Sequence, residues 1–343
     1  MLQRFDKRDK TFPAPVIFGL QGPVLSREER AFIKDANPLG FILFARNCKT
    51  PQQVQALNQS IFDTLGRFVP ILIDQEGGRV QRISKPLWNK YPPASLFGEV
   101  MKTNPEEALK TARSNAIKIA RELTNLGIHV NCAPVLDISY PQTHKSIGDR
   151  AFSDDPEHVF ALGDIVIRAY SEYGIVPVVK HLPGQGRASY DSHEILPIID
   201  APKADLRATD FLPYKNMVAK THYESAWGMM AHVIYSEYDA RAPASCSRRM
   251  IWDVTRGEIG FKGLLLSDDI CMGALKTYGG AAARARAVHR AGCDIILHCN
   301  GKLDEMRDVM NEVPASMFMD TVEKFNRSVG FVSRHSTPIN YET

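Results

Sequence analysis

Short apolar runs rich in Val, Ile and Leu recur along the 343-residue chain, and each is followed by a stretch with helical spacing of its apolar positions. That alternation is the pattern of parallel β/α architecture, because a strand covered by helices on both faces reads as a continuous apolar run. Eight such runs are present: Pro15 to Gly22, Gly40 to Ala45, Val69 to Asp74, Ile128 to Asp137, Ile175 to His181, Ala226 to Tyr235, Gly263 to Asp268 and Asp294 to Cys299. Amphipathic segments lie between them, among them Pro51 to Gly66, Pro105 to Gly127, Pro156 to Gly174, Lys203 to Ala219 and Gly280 to Gly292. Several begin beside Pro, Ser, Thr or Asp, and many end at Gly, including Gly260 after a further segment, as helix capping favours. The count of eight predicts an α/β fold of the (β/α)8 TIM-barrel type. No Ser/Gly-rich linker or low-complexity tract divides the chain, which predicts a single domain over 1–343.

A hydrophobic fraction of 44% with 24% charged residues supports one sizeable core. The net charge is only +3, without a basic run or an aromatic-basic stripe, so a nucleic-acid surface is not expected. Met1 to Thr11 is charged and lacks the apolar stretch of a signal peptide, and no apolar run approaches a membrane span. A soluble, cytoplasmic, monomeric protein is the expectation. The six cysteines are dispersed without Cys-x-x-Cys spacing, which suggests buried thiols rather than a zinc ribbon or a disulfide scaffold.

In a barrel of this type chemistry belongs at the carboxyl ends of the strands. Polar residues crowd there at Asp74-Gln75-Glu76-Gly77-Gly78-Arg79, at Asp137 with Gly148-Asp149-Arg150, at Lys180-His181, at His232 and at Ser267-Asp268-Asp269. An Asp-Asp pair after a strand suits a nucleophile or a cation ligand, and equally a helix N-cap. After the fifth run, Leu182-Pro183-Gly184-Gln185-Gly186 leads to Asp191-Ser192-His193, a loop whose Pro and Gly residues allow movement. The Asp-x-His spacing lets Asp191 fix the tautomer of His193 and favour its protonated form, although a solvated loop histidine fits the same pattern. Lys180 and Arg150 offer donors for sugar hydroxyls, carboxylates or phosphates, or serve as structural ion pairs. Asp74 and Arg82 suit a pair that binds a polyol or one that braces the Gly77-Gly78 turn, while His181 and His232 are equally compatible with the barrel core.

Taken together, these segments resemble glycoside hydrolase family 3, in particular its bacterial single-domain β-N-acetylglucosaminidases. The resemblance rests on Ile73 to Arg82, on Asn131-Cys132-Ala133-Pro134-Val135-Leu136-Asp137, on Ile147-Gly148-Asp149-Arg150, on the Lys180-to-His193 loop ending Leu196-Pro197, on Met230-Ala231-His232-Val233, and on Gly260-Phe261-Lys262-Gly263 leading to Ser267-Asp268-Asp269. It implies Asp268 as nucleophile, His193 as proton donor assisted by Asp191, and a sugar pocket lined by Asp74, Arg82, Arg150, Lys180 and His181. It further implies a retaining, exo-acting hydrolase that needs no metal or organic cofactor and releases N-acetylglucosamine from 1,6-anhydro-muropeptides during cell-wall recycling. One departure is visible: the family loop usually reads Lys-His-Phe-Pro-Gly-His-Gly, whereas this chain has Leu182 and Gln185. Leu keeps an apolar anchor, and Gln removes a titratable group near the pocket.

The same residues leave rivals open. A phosphorylase or a broader β-glucosidase would use the same site. Lys180 could form a Schiff base in an aldolase-like barrel, His181, His193 and His232 could hold a metal, and a non-catalytic sugar-binding barrel would need only Asp74, Arg150 and Lys180.

Overall fold

The computed structural model describes residues 2–9 and 11–336; the outermost ends of the 1–343 span lie outside them. Eight parallel strands form a closed barrel: β1 (Ala14–Gly19), β2 (Pro38–Leu43), β3 (Ile71–Ile73), β4 (Val130–Asn131), β5 (Val176–Leu182), β6 (Trp227–Met230), β7 (Leu265–Asp269) and β8 (Ile295–His298). Their spatial order follows the chain, and pairing of β8 with β1 shuts the ring. Each strand overlaps the apolar run that predicts it, but the ends differ: β1 and β2 begin before their runs, at Ala14 and Pro38, and β5 and β7 end one residue after theirs, at Leu182 and Asp269. In the sixth run, Ile234–Tyr235 leaves the barrel to pair with Ile198–Ile199 outside it.

The helices are α1 (Arg27–Ala36), α2 (Pro51–Leu65), α3 (Ala94–Met101), α4 (Pro105–Asn125), α5 (Pro156–Glu172), α6 (Lys203–Ala208), α7 (Leu212–Val218), α8 (Ala281–Ala291), α9 (Leu303–Met310) and α10 (Met319–His335). Local chemistry sets their ends. Thr50, Asn104 and Asp155 accept hydrogen bonds from first-turn amides of α2, α4 and α5, each of which has Pro in its first turn. Ser26 and Glu29 form a reciprocal capping box on α1. A π-helical segment, Arg249–Glu258, occupies the connection before β7.

One helix differs from expectation. The segment Lys203 to Ala219 is two helices, α6 and α7, because Pro213 opens a new first turn and the preceding Asp210 is drawn inward. The buried Asp210 carboxylate accepts from Arg187 Nε at 2.7 Å and from the Tyr140 hydroxyl at 3.0 Å.

The strands bury both faces. Ile17, Leu72, Val178, Met229, Leu266 and Ile295 point into the barrel, whereas Phe18, Phe41, Ile73, Val179 and Ile296 meet the helices. Val322, Phe325 and Val329 of α10 join the inner cluster, and Trp227 Nε1 donates to Ser328 Oγ at 2.9 Å. This helix packs against the inner cluster of the barrel. Among the described residues no helix is long and apolar enough to cross a membrane. All six cysteines are free, with Cys246 and Cys271 only partly buried.

Candidate active site

A short antiparallel hairpin, Gln75–Gly77 against Val80–Gln81, follows β3 and folds the chain back over the mouth. Gly77 and Gly78 adopt φ of 106° and 59°, and a Cβ on Gly77 would lie 2.3 Å from the Pro92 carbonyl oxygen. Glycine is therefore required at that turn. The buried Gln75 side chain holds the hairpin shut, donating to the Ile83 carbonyl at 2.8 Å and accepting from the Arg82 amide at 3.0 Å. The hairpin thus aims Glu76 inward and returns Arg82 to Asp74.

Asp74 accepts from Lys180 Nζ and from Arg82 Nη2, each at 2.9 Å. Glu76 receives Lys180 Nζ at 2.7 Å and a two-pronged contact from Arg150, whose Nε and Nη2 each lie 2.8 Å from a carboxylate oxygen. Burial works against both carboxylates. Lys180 and Arg82 outweigh it at Asp74, held below the ordinary carboxylate range, and Arg150 and Lys180 outweigh it at Glu76, held at about 2. For Lys180 burial opposes the charge too, yet Asp74 and Glu76 keep the ammonium firmly protonated. Three cations thus face two anions on one wall, and the buried Arg82 Nε has no partner among the described residues. The wall has donor capacity left for a ligand.

Removing one member of this network should be costly. Glu76→Gln leaves Lys180 and Arg150 undercompensated, and a loss of about 3–5 kcal/mol in denaturant unfolding at neutral pH is expected. The pH sign follows from the depressed carboxylate. The Glu76 contribution is fully present above its unfolded value near 4.5 and is lost as pH falls through about 2. The wild-type and Glu76→Gln stabilities should therefore converge between those limits; a constant difference down to the lower one would contradict the ion-pair account.

The dyad at β5 is oriented from behind. Buried Asp137 accepts from His181 Nδ1 at 2.7 Å, from the His181 amide at 3.2 Å and from the Gln185 amide at 2.7 Å. His181 Nε2 is thereby left on the pocket side, 3.5 Å from Arg150 Nη2. His232 is also buried, with Nδ1 2.7 Å from Ser245 Oγ and Nε2 3.0 Å from the Asp269 carbonyl oxygen. Burial lowers its pKa, and its two contacts brace the end of β7.

At β7 the two aspartates separate in role. The Asp269 carboxylate accepts from the amides of Cys271 and Cys299 at 2.9 and 3.1 Å, so it ties the segments after β7 and β8 together and is not a helix N-cap, the next helical turn being Gly273–Tyr278 behind Met272. Asp268 makes one such contact, from the Asp269 amide at 2.8 Å. Burial raises its pKa, but His232 and His181 outweigh that effect and keep it below the usual value, hence ionised. His193 also contributes to that stabilisation.

His193 lies on the loop after β5, its side chain 65% exposed, with Nδ1 2.7 Å from Asp191 Oδ1. The same oxygen accepts the His193 amide at 2.9 Å. With Nδ1 engaged, the second nitrogen is the one available for proton transfer. The loop is less open than its glycines suggest: Gly184 and Gly186 allow tight packing on Asp210 and on the Ile138 carbonyl, and Leu182 through Gly186 are buried. Gln185 Nε2 donates to Ser192 Oγ at 3.1 Å, fixing the residue beside the histidine. Exposure is concentrated in the tip, at Ser189, Tyr190 and His193 to Ile195.

All eight predicted site residues, Asp74, Arg82, Arg150, Lys180, His181, Asp191, His193 and Asp268, line one cavity of about 520 Å³ at the open mouth. Glu76 joins them although its sequence position alone gives it no role. Asp137 is the other addition, acting through His181 rather than on the cavity. Two rivals lose their footing here. Schiff-base chemistry needs a neutral amine, and Lys180 is clamped as an ammonium between two carboxylates. Both ring nitrogens of His232 are engaged, and His181, His193 and His232 do not form a ligand cluster among the described residues.

A barrel with this site defines a class. The family model for the glycosyl hydrolase family 3 N-terminal domain matches residues 16–329, and the chain belongs to that family and is a glycoside hydrolase. The chain is 36% identical to a β-hexosaminidase of Stenotrophomonas maltophilia over 288 residues, 84% of each protein. It is 37% identical to a β-hexosaminidase of Xanthomonas oryzae pv. oryzae, again over 84% of each. Among solved structures it is similar to NagZ from Neisseria gonorrhoeae in complex with N-trifluoroacetyl-D-glucosamine, with a TM-score of 0.84, 29% identity and 94% of each chain covered.

Proposed function

We propose that the chain, acting as one catalytic domain, is a retaining exo-β-N-acetylglucosaminidase with Asp268 as nucleophile and His193 as acid/base. The observation that carries this reading is the His193–Asp191 pair at the rim of the same cavity that holds ionised Asp268. Asp74 and Glu76 are locked as anions by their cations, and the Asp269 carboxylate is occupied. An imidazole is therefore the proton donor best suited to this cavity.

In the proposed first step Asp268 attacks the anomeric carbon as the bond to the leaving oxygen breaks, and imidazolium His193 gives that oxygen its proton. Neutral His193 then takes a proton from water, whose oxygen displaces Asp268 and releases the sugar with its original configuration. Asp191 is a positioning residue that keeps Nδ1 engaged throughout. Asp74, Arg82, Arg150, Lys180 and His181 bind the sugar. Ile42, Met229 and Leu297 make an apolar floor, and a blind pocket of this kind favours one terminal residue over an internal chain segment. Lys145 at the rim suits a carboxylate of a muramyl peptide leaving group, beside an Arg79 already paired with Asp149, and this supports 1,6-anhydro-muropeptides as substrate. A role in cell-wall recycling, as a cytoplasmic monomer, belongs to the same proposal.

The relatives' names and the pocket together favour a 2-acetamido sugar. Selectivity for 4-nitrophenyl β-N-acetylglucosaminide over the β-glucoside should exceed roughly a hundredfold, since buried polar groups left unpaired by the smaller substrate cost several kcal/mol. Steady-state rates on both, with and without phosphate, test the assignment. Equal rates would make the chain a broader β-glucosidase, and sugar 1-phosphate formed only with phosphate present would make it a phosphorylase.

A further inference from the structure

His298 ends β8 with its side chain fully buried, and among the described residues neither ring nitrogen makes a hydrogen bond, Nε2 having only the Glu305 carboxylate within ion-pair distance. A buried imidazole with both nitrogens unsatisfied is costly unless something occupies them. Two other ligand-type groups stand beside it. Glu305, in the first turn of α9, brings Oε2 to 3.4 Å from Nε2, and Cys271 follows β7 as a half-buried free thiol. One ligand atom from each of the three lies within 4.8 Å of the others.

We propose that Cys271, His298 and Glu305 form a binding site for a zinc-class divalent cation behind the wall of the sugar pocket. Thiolate, imidazole and carboxylate are all zinc ligands, with bonds of about 2.0–2.3 Å, and three of them leave a fourth position for water. Closing the observed spacing onto an ion requires side-chain shifts on the order of 1 Å. On binding, the Cys271 thiol gives its proton to solvent, neutral His298 supplies a ring lone pair, and Glu305 enters as the carboxylate it already is. Asn300 Nδ2 donates to Glu305 Oε2 at 2.6 Å and orients it from outside. The partly exposed Glu305 and Cys271 give the ion a way in.

None of the three ligands lines the sugar cavity, whereas their neighbours Asp269, Met272 and Cys299 do. The ion would therefore not meet the sugar. It would tie the segment after β7 to the segment after β8, the same two segments that Asp269 stitches through the Cys271 and Cys299 amides. Cys271 is three residues from Asp268, so the ion braces the backbone that carries it. This site does not depend on the proposed activity.

Titration of the metal-free full chain with Co²⁺ tests it. The expected result is one ion per chain, a thiolate-to-cobalt charge-transfer band in the near ultraviolet, loss of that band on adding Zn²⁺, and about one proton released per Zn²⁺ by calorimetry in buffers of different ionisation heat. Cys271→Ser should abolish the band and weaken Zn²⁺ binding by on the order of a hundredfold, and Asn300→Ala should weaken it by about tenfold. Replacement of buried His298 risks the fold, so the half-buried Cys271 carries the decision. Absence of a thiolate band, or equal Zn²⁺ affinity in Cys271→Ser and wild type, would overturn the site and assign any bound ion to the carboxylates and His193 of the pocket.

Discussion

Replacing Asp268 with alanine is expected to cut turnover of an aryl β-N-acetylglucosaminide by a factor on the order of 10⁴ or more while the barrel stays folded. The size follows from losing the covalent step altogether. Survival of the fold follows from the packing: among the described residues the Asp268 carboxylate accepts only the neighbouring Asp269 amide, whereas the backbone around it is held by His232 and by Asp269 itself. Unchanged circular dichroism and unfolding midpoint alongside the lost rate would separate chemistry from collapse. Asp269→Ala is the contrasting variant. Its carboxylate joins Cys271 and Cys299, so its loss should lower the unfolding midpoint as well as the rate.

The second large effect belongs to His193→Ala and depends on the leaving group. Alkoxide leaving groups such as a sugar hydroxyl need the proton, and general-acid catalysis typically contributes about 10²–10⁴-fold. Activated phenols leave without it and should show a far smaller loss. Asp191→Ala should give a milder form of the same pattern, because it frees the Nδ1 side of the ring that is held at 2.7 Å without removing the imidazole. Rates across a series of aryl and sugar leaving groups measure this directly. An equal loss for every member would remove His193 from the role of proton donor.

The strands were legible because a parallel barrel buries both strand faces, which writes each strand as an uninterrupted apolar run. The ends were less so. Ile234–Tyr235 continues the apolar run of β6, yet pairs with Ile198–Ile199, a partner remote in sequence. The division between α6 and α7 was half legible: Pro213 announces it, but the pull on Asp210 comes from Arg187 and Tyr140, which local periodicity cannot reveal. The site shows the same limit. Asp74 and Arg82 flank one hairpin, so their pairing could be anticipated from the Gly77-Gly78 turn between them. Glu76 sits between them, but its role depends on Arg150 and Lys180, which reach it from after β4 and from β5. Only closure of the barrel brings these residues together, as it does Asp137 and His181.

The side chain that becomes covalently bonded to the sugar is the centre of this account, and a slow fluorinated N-acetylglucosaminide reports it most directly. Trapping should add one sugar per chain, and fragmentation of the labelled peptide should locate the added mass on Asp268. Label on Asp269, or complete turnover without any adduct, would contradict the proposed mechanism, the latter pointing to attack by the substrate's own acetamido group.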